Sequence, residues 1–151
     1  MYNKDNPEVA AQMLIRKPVT EVFEAFVNPE ITTHFWFTKS SGRLQPGKTI
    51  LWEWEMYQVK DEIEVLEMIP GSLIRMTWGQ PKTTVDYLFE PITAESTYVT
   101  INNYGLKLEG EALVAAVRDL TGGFTTVLDG LKAYLEQGIA LNLVGDKFLK
   151  K

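Results

Sequence analysis

The sequence predicts an α+β fold, in which a long C-terminal helix is packed across one curved antiparallel sheet of six to seven strands. Short alternating segments between residues 40 and 104 are separated by turn-forming residues, which is typical of neighbouring antiparallel strands. Residues 109–137 instead carry apolar side chains at steps of three and four, which is the period of a helix. We expect one domain over residues 1–151, with a core at 9–138 and a C-terminal tail at 139–151.

Composition and charge exclude several classes of function. The net charge is −5 and the lysines are scattered, which argues against nucleic acid or an anionic membrane surface as a partner. No cysteine is present, so thiol nucleophiles, disulfides and thiolate metal sites are excluded. No apolar run approaches the ~18 residues needed to cross a membrane. We therefore expect a soluble, cytoplasmic protein.

The first elements are a strand and two short helices. Val9 to Ile15 is predicted to be a strand, closed by a basic pair and a proline. Thr20 is a suitable N-cap for a helix whose apolar face comes from residues 22–27. Pro29 ends that helix and opens a second one, which runs towards the aromatic residues 35–37.

The central segment is predicted to be a meander of strands, because its connections are too short for crossovers. Alternation places Ile50, Trp52 and Trp54 on one face of the sheet. The same argument places Asp86 on the face opposite its neighbours, where we expect it to contact solvent. The predicted strands lie at about 44–45, 49–57, 60–69, 73–78, 83–90 and 96–104.

One strand does not alternate regularly. Ile63 and Val65 share one face, whereas Leu66 and Met68 lie on the other. Either a β-bulge shifts the phase, or both faces of this strand are partly covered.

The long helix carries two consecutive glycines in its middle, Gly122 and Gly123. Each costs about 1 kcal/mol in a helix relative to alanine, so we expect a bend or a close approach by another element there. Such a bend would place Phe124 at the entrance of a cavity. Gly138 is predicted to end the helix.

Four stretches together resemble a known family. They are IRKPVTEVFEAFVNPEITTHFW, EVLEMIPGSLIRMTW, EPITAESTYVTINNYG and GGFTTVLDGLKAYLEQG, which span most of residues 15–138. In this order they resemble the START-like (SRPBCC) superfamily with its helix-grip fold. More closely, they are similar to the homologues of the activator of the ninety-kilodalton heat-shock-protein ATPase. Members differ in ligand, so the likeness implies a fold without implying one activity.

The resemblance implies a hydrophobic cavity between the sheet and the long helix. In this superfamily such cavities bind lipids, sterols, polyketides or other apolar molecules. Carried over, the resemblance implies cavity walls of Trp52, Trp54, Trp78, Tyr87, Phe89 and Phe124, and a mouth near Phe35, Trp36 and Tyr104.

Polar candidates are few. His34 is the only histidine, and no cluster of carboxylates accompanies it, so we predict no metal, no cofactor and no catalytic residue. By parity Asn103 shares the inner face with Val99 and Ile101. A buried amide needs a partner, which a ligand carbonyl or hydroxyl, an ordered water or Tyr104 could supply.

Three functions remain open. The first is binding of a small apolar ligand of unknown identity in the cavity. The second is a protein-interaction module that contacts a chaperone or, through the tail, a second copy of the chain. The third is a cyclase/aromatase-like or hydrolase-like enzyme on an apolar substrate, which requires a polar pair inside the cavity, for example His34, Asn103 or a buried carboxylate.

Overall fold

The computed structural model describes residues 7–149. Residues 1–6 and 150–151, which belong to the predicted polar N-terminus and to the end of the predicted tail, lie outside this range. All strand pairs are antiparallel, and the sheet order is β1-β7-β6-β5-β4-β3-β2. The strands are β1 (Val9–Ile15), β2 (Lys39–Ser40), β3 (Thr49–Trp54), β4 (Val59–Ile69), β5 (Leu73–Trp78), β6 (Thr83–Thr93) and β7 (Ser96–Tyr104).

The helices confirm the predicted layout. Helices α1 (Val19–Val27) and α2 (Pro29–Thr32) follow the first strand, and α3 (Gly110–Gln137) is the long helix, with a short α4 (Leu143–Asp146) in the tail. The C-terminal part of α3 is tied to β1, where the Lys132 ammonium donates to the Leu14 carbonyl at 2.7 Å. This is the helix-grip arrangement of the START-like fold.

Some local predictions were wrong. Thr20 is not an N-cap, because it lies inside α1, which begins at Val19. The N-cap position is occupied by Pro18, which makes no side-chain hydrogen bond to the helix. Residues 44–45 form no strand; Leu44 is buried in a loop, and β2 instead pairs with β3 at residues 39–40. Strand β3 stops at Trp54, since residues 55–57 turn into a single 3-10 turn.

The structure shows the cause of the irregular alternation in β4 and the surroundings of Asp86. A β-bulge between Val65 and Glu67 shifts the register of β4, so the first explanation of its irregular alternation is confirmed. Asp86 lies on the outer face as expected, but it is buried and does not contact solvent freely. The Arg75 Nε–H donates a hydrogen bond to the Asp86 carboxylate at 2.8 Å, and the Tyr104 hydroxyl donates to the same carboxylate at 3.1 Å.

The close approach predicted at the glycine pair in α3 is wrong, because a Cβ on Gly122 would make only an ordinary contact, 3.5 Å from the Lys147 Nζ. The helix continues through both positions, and a Cβ on Gly123 would meet no atom within 4 Å. The close approach occurs seven residues later. A Cβ on Gly130 would lie 3.2 Å from the Phe35 Cβ and 3.3 Å from its carbonyl oxygen. Gly130 therefore lets the helix lie directly on the connection that follows α2.

The tail packs back onto the domain, against the 3-10 turn that follows β3. The Tyr57 hydroxyl donates to the Val144 carbonyl at 2.6 Å and accepts from the Phe148 N–H at 3.2 Å. Helix α4 thereby lies beside α3, while Ile139, Leu141 and Phe148 remain exposed.

Candidate functional site

Most of the predicted cavity walls form a solid aromatic core. Trp36 lies at its centre, 4.9 Å from Trp52 and 6.4 Å from Phe124 between ring centroids. Phe37 stacks on Trp52 at 4.5 Å. The side chains of Phe35, Trp52, Tyr87, Phe89 and Phe124 are buried within this cluster. These rings therefore touch one another, and of those named here only Trp36 and Phe124 border one of the two pockets described below.

An open pocket of about 590 Å³ lies beside this core. It is bounded by the end of β5 and the turn that follows it, by the connection between β7 and α3, and by the N-terminal half of α3. Its surface is predominantly apolar. The lining residues are Trp54, Val59, Lys60, Asp61, Trp78, Gly79, Gln80, Pro81, Thr83, Asn103, Leu106, Lys107, Leu108, Ala116 and Leu120. We call it the large pocket.

Three of the predicted site residues line the large pocket, namely Trp54, Trp78 and Asn103. The residues of the predicted mouth, Phe35, Trp36 and Tyr104, do not line the large pocket. Tyr104 lies on the outer face of the sheet, where its hydroxyl is bonded to Asp86, because strand alternation turns it away from Asn103. Phe35 is buried under α3, and the open side of the pocket is formed by residues such as Val59 and Leu108, both of which are partly exposed.

A second, smaller pocket of about 210 Å³ lies on the other side of Trp54 and Trp78. Trp36 and Phe124, two further predicted site residues, line it. Phe124 is almost completely buried and does not stand at an entrance. The outer wall of this small pocket is the tail, through Val144, Lys147 and Phe148.

Asn103 is the buried polar residue of the large pocket. It pairs with Val9 on β1 and Val85 on β6, so it lies within the sheet and has no solvent exposure. Its Nδ2 donates to the Thr83 hydroxyl and to the Thr84 carbonyl, both at 2.9 Å. Its Oδ1 finds no hydrogen-bond partner among residues 7–149.

Asp61 is a pocket residue that the sequence analysis did not select. It precedes Ile63 and Val65 by even steps on β4, so parity alone could have placed it on the inner face. Its carboxylate accepts from the Gly79 N–H at 2.7 Å and from the Lys82 ammonium at 3.3 Å. With Asn103 it supplies the inward polar groups that the enzyme hypothesis requires, so that hypothesis stays a prediction.

The lining residues that lie in irregular connections could not be identified from the sequence. Leu106 and Leu108 belong to the connection between β7 and α3, and Pro81 to the turn after β5. No periodic pattern marks an irregular connection as a pocket wall.

Tyr87 carries a second unpartnered polar atom. Within the described chain its hydroxyl makes no hydrogen bond, and the residue is fully buried in the aromatic core. Burial and, secondarily, the charge of Asp61 raise the pKa of Tyr87 well above its ordinary value. The phenol is therefore neutral at physiological pH.

His34 takes no part in either pocket. It is exposed at the end of α2, and its ring stacks on Tyr134 with centroids 4.6 Å apart. Among residues 7–149 no group of three or more acidic or histidine side chains could hold a metal ion. None of the helices described is both long and apolar enough to span a membrane.

Comparisons with known proteins identify relatives of this chain. A family model described as Activator of Hsp90 ATPase homolog 1-like protein matches residues 16–136. The crystal structure of protein SSP2350 from Staphylococcus saprophyticus shares 33% sequence identity, with a TM-score of 0.78 over 89% of this chain and 95% of that one. No curated protein sequence matches this chain.

Two further solved structures share the fold at lower identity. DynU16, from the dynemicin biosynthetic locus, is 22% identical, with a TM-score of 0.78 over 88% of this chain. The match covers 48% of DynU16, so this chain spans about half its length. The Aha1 dimer from Colwellia psychrerythraea is 15% identical, with a TM-score of 0.74 over 87% of this chain and 97% of that one.

Proposed function

This chain belongs to the family of Activator of Hsp90 ATPase homolog 1-like proteins, and we propose that it binds a small apolar ligand in the large pocket. The observation that carries the proposal is an open, mainly apolar pocket of about 590 Å³ beside the aromatic core, much larger than the second pocket of about 210 Å³. This volume lies within the range of about 300–1,000 Å³ typical of small-molecule sites.

The energy for binding would come from removing apolar surface from water. Trp54 and Trp78 provide flat aromatic walls on one side, and Leu106 and Leu120 provide aliphatic walls on the other. Burial of such surface contributes about 25 cal/mol per Å² of apolar area, less the cost of immobilising the ligand. The aromatic walls favour a molecule with a ring system, since offset stacking adds to burial.

The proposal is tested by filling the pocket. Ala116 lies on α3 and lines the large pocket, so Ala116→Trp would place an indole in the space that a ligand needs. We expect the wild type to enhance the fluorescence of the probe 8-anilinonaphthalene-1-sulfonate saturably, and the variant to lose at least tenfold in affinity for it.

The control is the same substitution outside the pocket. Ala94 is exposed in the turn between β6 and β7, and Ala94→Trp should bind the probe as the wild type does. Circular dichroism verifies that both variants are folded. Equal binding by wild type and Ala116→Trp, or no binding by any of the three proteins, would contradict the proposal.

A second candidate function is interaction with a chaperone, which the family description favours. Its surface would be outside the pocket. The outer face of the sheet presents the partly exposed side chains of Leu88 and Tyr98, diagonal neighbours on β6 and β7. The test is the ATPase rate of purified Hsp90 with and without the chain; an unchanged rate and no co-sedimentation would reject this function.

A further inference from the structure

Asn103 has a feature that an apolar pocket alone does not explain. The side chain is fully buried, yet it borders the large pocket, and one of its two polar atoms has no partner among residues 7–149. Buried polar groups are nearly always hydrogen-bonded, because an unpaired group loses its interaction with water without compensation. The unpaired atom therefore indicates what the pocket receives.

The identity of the unpaired atom follows from its neighbours. The Thr84 carbonyl can only accept a hydrogen bond, and it lies 2.9 Å from one terminal atom of the Asn103 side chain. That atom must be the donor, Nδ2, and it also reaches the Thr83 hydroxyl at 2.9 Å. The free atom is Oδ1, which can only accept.

No donor among residues 7–149 reaches Asn103 Oδ1, and two nearby polar side chains are engaged elsewhere. Tyr104, one of the partners considered for this amide, lies on the outer face and donates to Asp86. Asp61 on the inner face is engaged as an acceptor by the Gly79 N–H and the Lys82 ammonium. A ligand carbonyl would not help either, since two acceptors cannot bond to each other.

We propose that the ligand of the large pocket is an apolar molecule that carries a hydrogen-bond donor, a hydroxyl or an N–H group, and that this donor binds Asn103 Oδ1. The inference rests on the proposed function and adds the ligand class to it. The aromatic and aliphatic walls hold the apolar body, and the amide fixes its orientation. A molecule of the same shape without the donor leaves Oδ1 unpaired and binds more weakly.

The test compares two probes that differ in the donor. 2-Naphthol and 2-methoxynaphthalene have the same ring system and an oxygen at the same position, but only the naphthol can donate. The methyl ether is the more hydrophobic molecule, so burial alone favours it. By isothermal titration calorimetry we expect the wild type to bind 2-naphthol roughly tenfold more tightly, as expected for one paired buried acceptor.

Two variants test whether the preference for 2-naphthol depends on the Asn103 side chain. Asn103→Leu keeps the branched shape of the side chain and removes the acceptor, so it should bind the two probes equally or prefer the ether. Thr97→Val is the matched control, because Thr97 is buried on the same strand and the same face, and its hydroxyl donates to the Lys17 carbonyl far from the pocket. This variant loses a buried hydrogen bond but should keep the tenfold preference.

The outcomes separate the two proposals. If the wild type binds both probes equally, Oδ1 is satisfied without the ligand and the inference is wrong, whereas the proposed function stands. If neither probe binds, the proposed function itself fails. If Asn103→Leu does not fold, the wild type and Thr97→Val still test the inference. Equal affinities for 2-naphthol and 2-methoxynaphthalene in either of these proteins would contradict it.

Discussion

The two halves of α3 differ in what lies beneath them. From Phe124 to Gln137 the helix is packed, with Val127, Leu128 and Leu131 buried against the sheet and its core. From Gly110 to Gly123 only Leu113 is buried, and the helix covers the large pocket. The apolar stripe in the sequence is continuous across both halves. One apolar stripe therefore serves as core at one end of the helix and as a pocket wall at the other.

The largest expected effect comes from truncating one leucine in each half of α3 to alanine. Leu131→Ala should lower the free energy of unfolding by about 2–5 kcal/mol, because Leu131 has no solvent exposure and its loss leaves a cavity. Leu120→Ala should cost about 1 kcal/mol, since that side chain already borders open space. Urea denaturation measures both. Similar losses would mean that the N-terminal half is also packed.

The glycines provide a second contrast. Gly123→Ala should raise the free energy of unfolding by about 1 kcal/mol through helix propensity, because the new Cβ meets no atom within 4 Å. Gly130→Ala should lower it by about 1 kcal/mol, because its Cβ would press on the Phe35 backbone at 3.3 Å. Thermal denaturation of the two variants checks the signs; a stabilising Gly130→Ala would disprove the close approach.

An ion-pair network anchors the packed half and predicts a pH dependence. Glu136 accepts from the Arg16 N–H at 2.8 Å and from the Lys132 ammonium at 2.7 Å. Burial raises the pKa of Glu136, but these bonds outweigh burial and leave the pKa below its ordinary value of 4.5. The folded state therefore gains stability above about pH 4.5, which is lost as the pH falls through the lowered pKa.

Glu136→Gln tests this network. At pH 7 the variant should be less stable than the wild type by about 1 kcal/mol, and the difference should shrink as the pH falls below 4.5 and through the lowered pKa of Glu136. Denaturation curves at several pH values measure it. A difference that stayed constant across this range would assign the effect to packing instead of charge.

The smallest expected effect concerns two tyrosines on opposite faces of the sheet. Tyr87→Phe removes a hydroxyl that has no partner in the described chain, so stability should stay unchanged or rise by up to about 1 kcal/mol. Tyr104→Phe removes the donor to Asp86 and should cost about 1 kcal/mol. Chemical denaturation compares the pair. A clear loss in Tyr87→Phe would indicate a partner for that hydroxyl.

Most of the fold could be predicted because its signals are local. The limits of β1 and β5 and the C-terminal end of α3 agree with the sequence-based prediction, since alternation, helical periodicity and a stop glycine lie within a few residues of each other. The bulge in β4 was one of two predicted explanations, and only the pairing with β5 decided between them. The short strand β2 was missed, because its pairing with β3 depends on a distant segment.

The candidate site was predictable only in part. Parity identified Asn103 as an inward-facing residue, and the same rule could have identified Asp61. The aromatic residues were recognised as interior, but a sequence does not state whether rings touch one another or face a cavity. That depends on how far the strands and the helix separate at each level, which is a property of the whole assembly.

The sequence by itself therefore determined the main elements, their order and which faces are apolar. Each of these follows from the period of side chains along a strand or a helix and from the conformational limits of proline and glycine. The tertiary structure decided where the interior closes and where it stays open. It also decided that the long helix lies tightly against Phe35 at Gly130 and leaves open space at Gly123, because such distances are set jointly by residues far apart in the chain.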